Sequence, residues 1–464
     1  MPDPQSFDVV VIGAGPAGVN AAITAARLGK SVAVAEKNPT VGGAALNTGT
    51  IPSKTLRETA VAFAGLRTRN LHGVDLSLRR ECTVADLLHH ERAVRDTEQA
   101  RWVSLLGRYG VTVISGAARF ADPHTLIVAG PGGDRTVRAE YVVIAIGSSP
   151  VRPPLFAFEH TRIHDSDEIV NLEQMPKSLA VVGAGVVGCE YACTFAALHV
   201  PTHLIDGRDC LLPFLDLEIA QALTAAITEL GVTFHWKEQV TACQAPTVGD
   251  IRLTLSSGKE LVVDAVLVAA GRESRTADLN PEAASLLVGK RGQLCVDEHF
   301  RTNVKHIYAA GDVVGFPALA SISAEQGRLA AAHACGDAGA DGVPAIFPTG
   351  IFTIPEVAAV GETEGSLKGK GIDYIVGRAD YTQTARGEIV GDQTGFLKLL
   401  FAKDGLRLLG AHVIGEQATE LIHLGLMTME MGGGADLLWR TCFNYPTFGD
   451  LYKFAAHDAM LKRG

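Results

Sequence analysis

What this chain of 464 residues lacks narrows the field first. It has no uninterrupted apolar run of about 18 residues, the length that reads as a membrane-spanning helix. Its first apolar run, in MPDPQSFDVVVIG, follows no basic leader and feeds directly into a glycine motif. Neither a signal peptide nor a membrane span is therefore expected. Positive charge is not in excess: the formal net charge is −10, which argues against nucleic acid as the main partner. A metal-type CxxC pair is missing. The eight cysteines (Cys82, Cys189, Cys193, Cys210, Cys243, Cys295, Cys335 and Cys442) are scattered, mostly among apolar neighbours. A reduced, cytoplasmic compartment is the simpler expectation. Cys189 and Cys193 can share a helix face and are expected to be buried filler.

The length predicts two to four domains of about 100–200 residues each. FDVVVIGAGPAGVNAAITAARLGKSVAVAEK reads strand, glycine turn, helix, strand. The first strand, Asp8–Ile12, is too apolar to alternate, as a buried parallel strand should be. In the turn, Gly13 permits the tight bend, Gly15 the approach of a pyrophosphate, and Gly18 the packing of helix on strand. The phosphates meet the open N–H groups and positive end of the helix. Glu36 closes the second strand, where it can accept from both ribose hydroxyls. A second copy, KSLAVVGAGVVGCEYACTFAALHVPTHLID, places Gly183, Gly185, Gly188 and Asp206 in the same order. Two dinucleotide sites are implied in one chain. A carboxylate at Asp206 favours NAD over NADP, whose extra phosphate it repels. Arg208 is either a partner for that phosphate or a surface arginine, so tolerance of both nucleotides stays open.

Between the copies, Ala85–Leu106 reads as a charged amphipathic helix and GVTVISGAARFADPHTLIV as short strands. EYVVIAIGSSPVRPP is a buried strand entering a crossing segment. LVVDAVLVAAGRES repeats that logic, and HIYAAGDVVGFPALASISAEQGRLAAAHA follows as strand, Gly-Asp turn and Ala-rich helix. Beyond Gly342, antiparallel strands followed by helices suggest a separate α+β domain. The expected fold class is α/β, with two Rossmann-like dinucleotide-binding domains plus a C-terminal α+β dimerisation domain. The expected boundaries are 1–150 and 272–343 for the FAD-binding domain, 151–271 for the NAD(P)-binding domain and 344–464 for the dimerisation domain.

The loop after the first unit, VGGAALNTGTIPSKTLRE, offers alanine and threonine where a nucleophile might stand. With both fingerprints and IYAAGD, it makes the chain resemble the flavoprotein pyridine nucleotide–disulfide oxidoreductases over essentially its whole length. GTIPSKTLRE, GAGVVGCEYACTFAALHV, RDCLLPFLDLEI, YAAGDVVGFPALAS, FPTGIFTIPEVAAVG and FNYPT are similar to the soluble, Si-specific pyridine nucleotide transhydrogenase branch. The resemblance implies FAD at the first fingerprint, NAD(H) at the second with NADP(H) left open, and a homodimer. It puts the family's paired cysteines at Ala45 and Thr50 and its catalytic histidine at Tyr445, with the supporting acid at Asp450. The disulfide apparatus is therefore absent, and Ala, Thr and Tyr cannot do thiol chemistry near neutral pH.

The resemblance also implies roles. Lys54 would sit near the flavin and pair with Glu190, which keeps the lysine charged despite burial. Thr50 would lie beside the ring as a tuning hydroxyl or plain packing. Tyr445 would line an acceptor pocket at the dimer interface or be a core aromatic. Cofactor contacts are expected at Gly13, Gly15, Gly18, Glu36, Lys37, Gly43, Thr50, Lys54, Gly147, Gly311, Asp312 and Ala320 for FAD. For the nicotinamide nucleotide they are expected at Gly183, Gly185, Gly188, Glu190, Asp206 and Gly271. The expected reaction is hydride transfer from one nicotinamide nucleotide through FAD to another, with no dithiol relay. The alternative is an NADH-preferring dehydrogenase that reduces a quinone or other small acceptor.

Overall fold

Apolar, β-branched runs ending in glycine turns form two parallel sheets, one on each fingerprint. The computed structural model describes residues 5–65, 83–337, 342–392 and 394–463; Cys82 lies outside them. In the first sheet the parallel strands run in the order Thr112–Ser115, Val32–Glu36, Gln5–Ile12, Gly133–Ile144 and Ile307–Ala309. An antiparallel pair, Ala117–Asp122 and Thr125–Gly130, extends it from the start of Gly133–Ile144. Val9, Val11, Val34 and Val143 are completely buried, which explains why the sequence does not alternate there. The first strand begins at Gln5, earlier than its apolar run, because Gln5 pairs with Val137. The charged helix spans Val84–Arg108, and Thr83 caps it in a reciprocal box with Asp86.

The second sheet has five parallel strands in the order Val232–Trp236, Thr202–Asp206, Leu179–Val182, Ala265–Val268 and Ile163–Asp165. A three-stranded antiparallel sheet, Val240–Gln244, Ile251–Leu255 and Glu260–Val263, accompanies it. The chain passes between the two parallel sheets through short strands Ser149–Pro150 and Arg272–Glu273, which pair antiparallel. The C-terminal unit is a five-stranded antiparallel sheet in the order Thr349–Ile351, Val357–Gly361, Leu408–Ile414, Phe396–Ala402 and Tyr374–Asp380. Helices Ala418–Glu430, Ala435–Arg440 and Asp450–Lys462 follow it. Among the described residues no helix is long and apolar enough to cross a membrane.

One hydrophobic cluster crosses unit boundaries. It joins Leu56 after the first fingerprint, Cys189 and Cys193 on the second fingerprint helix, and Ile351, Val357 and Ile414 of the C-terminal sheet. Both cysteines are buried; burial pushes the Cys193 thiol up to about 12 and the Cys189 thiol well above its ordinary value. They are packing residues. A second tie is ionic. Lys398, on the strand Phe396–Ala402, is 2% exposed and reaches Asp216, 1% exposed, at 2.8 Å. Its ammonium also meets Glu218 at 3.1 Å and Glu364. Asp216 meanwhile caps the helix Leu217–Glu229 and accepts from the Glu364 amide.

Removing one partner of a buried pair leaves the others uncompensated, at a cost of about 3–5 kcal/mol. Lys398→Met should lower the unfolding free energy by about that amount in urea titration. Lys370→Met, which breaks an exposed pair with Glu362, should cost under about 1 kcal/mol. Burial raises the Glu364 carboxyl, but hydrogen bonds from Lys398 and Tyr374 outweigh it and hold the group at about 2, below its ordinary 4.5. Its contribution to stability is therefore complete above about pH 4.5 and should fade as the pH falls toward 2.

Candidate active site and nucleotide loops

At both fingerprints the third glycine sits where no side chain fits. A Cβ on Gly18 would lie 1.8 Å from the Gly13 carbonyl oxygen, and one on Gly188 would lie 1.9 Å from that of Gly183. Each helix therefore packs directly against its own turn. The helices Pro16–Arg27 and Val186–Ala197 begin after Gly15 and Gly185 with no side-chain cap. Their first N–H groups are left for a ligand, the arrangement that receives phosphate. Gly43 touches the first turn: a Cβ there would come within 2.8 Å of the Gly15 Cα. The loop that carries Ala45 and Thr50 is thus pressed against the phosphate end of the first site.

Glu36 is 5% exposed. One carboxylate oxygen accepts from the Ala14 amide at 2.7 Å and the other from the Asn38 amide at 2.8 Å. Each oxygen keeps a lone pair for a hydroxyl. Lys37, next in sequence, faces solvent. A cavity of about 330 Å³ is lined by Pro39, Thr40, Val41, Gln99 and Val113 among others. At the same carboxyl end of the sheet, Gly311 donates its amide to Gln326 at 2.8 Å, and Asp312 opens a short turn. Its carboxylate accepts from the Ser148 hydroxyl at 2.8 Å, one residue after Gly147. Ala320 begins the Ala-rich helix Ala320–Ala334.

Asp206 is built like Glu36, with one difference. The Ala184 amide donates to it at 2.7 Å and the Arg208 amide at 2.9 Å. The Arg208 guanidinium then folds back onto it with two bonds, at 2.8 and 2.7 Å. Arg208 is therefore neither a free surface arginine nor an open phosphate partner: it is already engaged. Burial opposes ionisation of Asp206, but the bonds from the Arg208 side chain, the Arg208 amide and the Ala184 amide prevail and lower the carboxyl to about 2. A cleft of about 240 Å³ lies here, lined by Gly183, Asp206, Gly207, Gln239 and Ala270, beside Gly271.

The structure brings Lys54 and Glu190 together across 136 positions of sequence. The ammonium donates to one Glu190 oxygen at 2.7 Å and to the Ser53 hydroxyl at 3.1 Å. Of its three N–H donors one is left. The other Glu190 oxygen accepts from the Phe352 amide at 2.9 Å, and the Phe352 ring lies 5.1 Å from the ammonium. Arg57 braces the same junction through the Thr353 carbonyl at 3.1 Å and Glu356 at 3.3 Å. Ser53, Arg57, Phe352 and Glu356 escape a reading of the sequence because no local pattern pairs them. Thr50, first residue of the helix Thr50–Phe63, is exposed, and Ala45 is half-buried.

Tyr445 stands apart. It is 72% exposed, so it is not a core aromatic of the protomer. Among the described residues no hydrogen bond joins it to Lys54 or Glu190 of its own chain. Asp450 begins the last helix. The exposed apolar residues Met427, Met431, Leu437 and Trp439 belong to the same C-terminal unit.

Known proteins can be set beside this geometry. Residues 7–338 match the model of the pyridine nucleotide-disulphide oxidoreductases, and residues 347–456 match the dimerisation domain of those enzymes. The chain belongs to the pyridine nucleotide-disulphide oxidoreductase family. It is 45% identical to the soluble pyridine nucleotide transhydrogenase of Mycobacterium bovis over 460 residues, covering 99% of this chain and 98% of that one. The soluble pyridine nucleotide transhydrogenase of Vibrio cholerae is 40% identical over 458 residues, covering 98% of each. Among solved structures, LpdA of Mycobacterium tuberculosis superposes with a TM-score of 0.90 at 26% identity, covering 98% of this chain and 99% of that one. The HOCl-induced flavoprotein disulfide reductase RclA of Escherichia coli gives 0.87 at 27%, covering 96% and 99%.

The family's cofactors are FAD and a pyridine nucleotide, and the residues present suit both. Two uncapped helix N-termini, each beside a carboxylate that closes the next strand, match two dinucleotides. The buried Thr48 hydroxyl, in the loop against Gly15, has no partner among the described residues. Ala45 and Thr50 leave no redox disulfide in this loop, and the seven described cysteines are all free and lie elsewhere.

Asp206→Asn should release Arg208 and remove the charge that repels a 2′-phosphate. Its ratio of kcat/KM for NADPH over NADH should rise by about tenfold or more, a shift of about 1.4 kcal/mol. An unchanged ratio would mean that this pair does not set nucleotide choice.

Proposed function

We propose that this chain is a soluble, FAD-dependent transhydrogenase that passes hydride between nicotinamide nucleotides at a site without a dithiol. The observation that carries the reading is the retained Lys54–Glu190 contact at 2.7 Å beside a loop with alanine and threonine at 45 and 50. Bound FAD would supply the two-electron chemistry of taking hydride from one nicotinamide and giving it to another. Gly13, Gly15, Gly18, Gly43, Gly147, Gly311 and Ala320 would let its backbone contacts form. Glu36 and Asp312 would accept its hydroxyls, with Lys37 at the rim. Gly183, Gly185, Gly188, Asp206 and Gly271 would do the same for the nicotinamide nucleotide.

What the chain's own residues do follows from their geometry. Glu190 holds the Lys54 amine in place at 2.7 Å, and the Phe352 amide holds Glu190. The remaining Lys54 donor is directed by two fixed bonds and is available where negative charge develops, so it costs little reorganisation. Thr50 presents a hydroxyl at the helix start and cannot serve as a thiolate. Tyr445, exposed on the dimerisation unit, is suited to wall the site of a partner copy. The Asp206–Arg208 pair is close to neutral, so it repels a second phosphate less than a lone aspartate does. That is the electrostatic condition for admitting both NADH and NADPH.

A second reading rests on the same Asp206. Held ionised by three groups, it favours the unphosphorylated ribose, and an NADH-preferring dehydrogenase with a quinone or other small acceptor would have the same site. The proposal includes the division of the chain at residues 150, 271 and 343; the paired crossing strands support the first two. It includes a cytoplasmic setting, supported by the free cysteines.

The test is a steady-state assay of the purified yellow protein. NADPH with thio-NAD should exchange rapidly, while lipoamide and glutathione disulfide should turn over negligibly. NADH oxidation by a quinone with no NADPH–thio-NAD exchange would favour the second reading, and robust disulfide turnover would sink both. Lys54→Met and Glu190→Gln should each lower the exchange rate by about 10²- to 10³-fold with the folded state intact.

A further inference from the structure

We infer that Arg272 is a positioning residue that aims the Asp312 carboxylate through Ser148 and anchors it to the second dinucleotide unit through Asp167. The inference rests on the reading that the first fingerprint unit holds FAD. Arg272 lies on one of the two crossing strands, opposite Pro150, and the adjoining Gly271 carbonyl accepts from the Val151 amide at 3.0 Å. Its guanidinium spends its donors on both sides of the crossing. Nε donates to the Ser148 hydroxyl at 2.9 Å and one terminal nitrogen donates to the Ser148 carbonyl at 2.9 Å. The other terminal nitrogen donates to Asp167 at 2.8 Å.

The consequence lies in the single proton of the Ser148 hydroxyl. A serine hydroxyl has one donor and two acceptor positions. Because Arg272 Nε occupies an acceptor position, the proton is committed to Asp312 at 2.8 Å. That fixes one Asp312 oxygen. Among the described residues the other receives only a long bond from Ser323, at 3.4 Å, and is left as the acceptor for a ligand. Asp167 is itself rigidly presented. Its neighbour Asp165, 1% exposed, accepts from the amides of Asp167 and Glu168 and from Arg152. Three consecutive hydrogen bonds thus run from the second unit to Asp312 through Arg272 on one crossing strand and Ser148, the residue just before the other. A lysine at 272 could satisfy one of these partners at a time; only the planar fork holds Ser148 and Asp167 together.

The test uses the full-length holoenzyme and its Ser148→Ala, Arg272→Lys and doubly substituted forms. FAD release after dilution is followed by recovery of free-flavin fluorescence, and the environment of the bound flavin by its visible circular dichroism. Thermal melts confirm folding. Each single substitution should speed release roughly tenfold and alter the dichroism, because a hydrogen bond to a charged group is lost. The double form should release FAD no more than about threefold faster than either single form, because both changes act on the same carboxylate. Release and dichroism unchanged in the single forms would overturn the inference, as would fully multiplicative effects in the double form. A wild-type protein that retains no FAD would instead sink the underlying reading, and the inference with it.

Discussion

The contact between the Lys54 ammonium and the Glu190 carboxylate is the point on which the rest of the molecule converges. Lys54 comes from the helix after the first fingerprint, Glu190 from the second fingerprint helix, and the Phe352 amide that fixes Glu190 from the C-terminal sheet. A charge in a site only partly open to water must be held by a partner whose own position is fixed. Each of the three units supplies one member of that arrangement. The apolar cluster containing Leu56, Cys193 and Ile351 keeps the three elements in register beneath it. The Lys398 cluster adds a separate ionic tie between the second unit and the C-terminal unit.

The two nucleotide sites share a backbone plan and differ in electrostatics. Glu36 is bound by amides alone, so its charge remains for hydroxyls. Asp206 carries a guanidinium on both oxygens. A site that serves one nucleotide gains from an uncompensated carboxylate. A site that must exchange two nucleotides differing by a phosphate gains from a carboxylate whose charge is balanced by a neighbouring guanidinium.

Much of this was legible in the sequence because it is local. Glycine spacing, strand ends and terminal acids lie within some 30 residues of one another, and their geometry follows from turn and helix sterics. The antiparallel C-terminal sheet was visible in its apolar runs, although the strand Tyr374–Asp380 was not, since its Gly-Arg-Ala-Asp end lacks a strand pattern. The partners that complete the site were not legible. Phe352 meets Glu190 from 162 positions away, and Arg272 meets Ser148 from 124. Such pairs depend on how whole units dock, and no periodicity reports that. The side chain of Arg208 was visible, but its engagement by Asp206 is a rotamer choice made by the fold. Tyr445 was ambiguous for the same reason: only its exposure separates a core ring from a surface one.

The central claim is that electrons pass between nucleotides through the flavin with no sulfur relay. Anaerobic reductive titration of the purified protein with dithionite tests it most directly. The account predicts complete bleaching after uptake of two electrons per bound FAD. Uptake of four, with an intermediate long-wavelength band, would show that a thiol pair exchanges with the flavin and would contradict it.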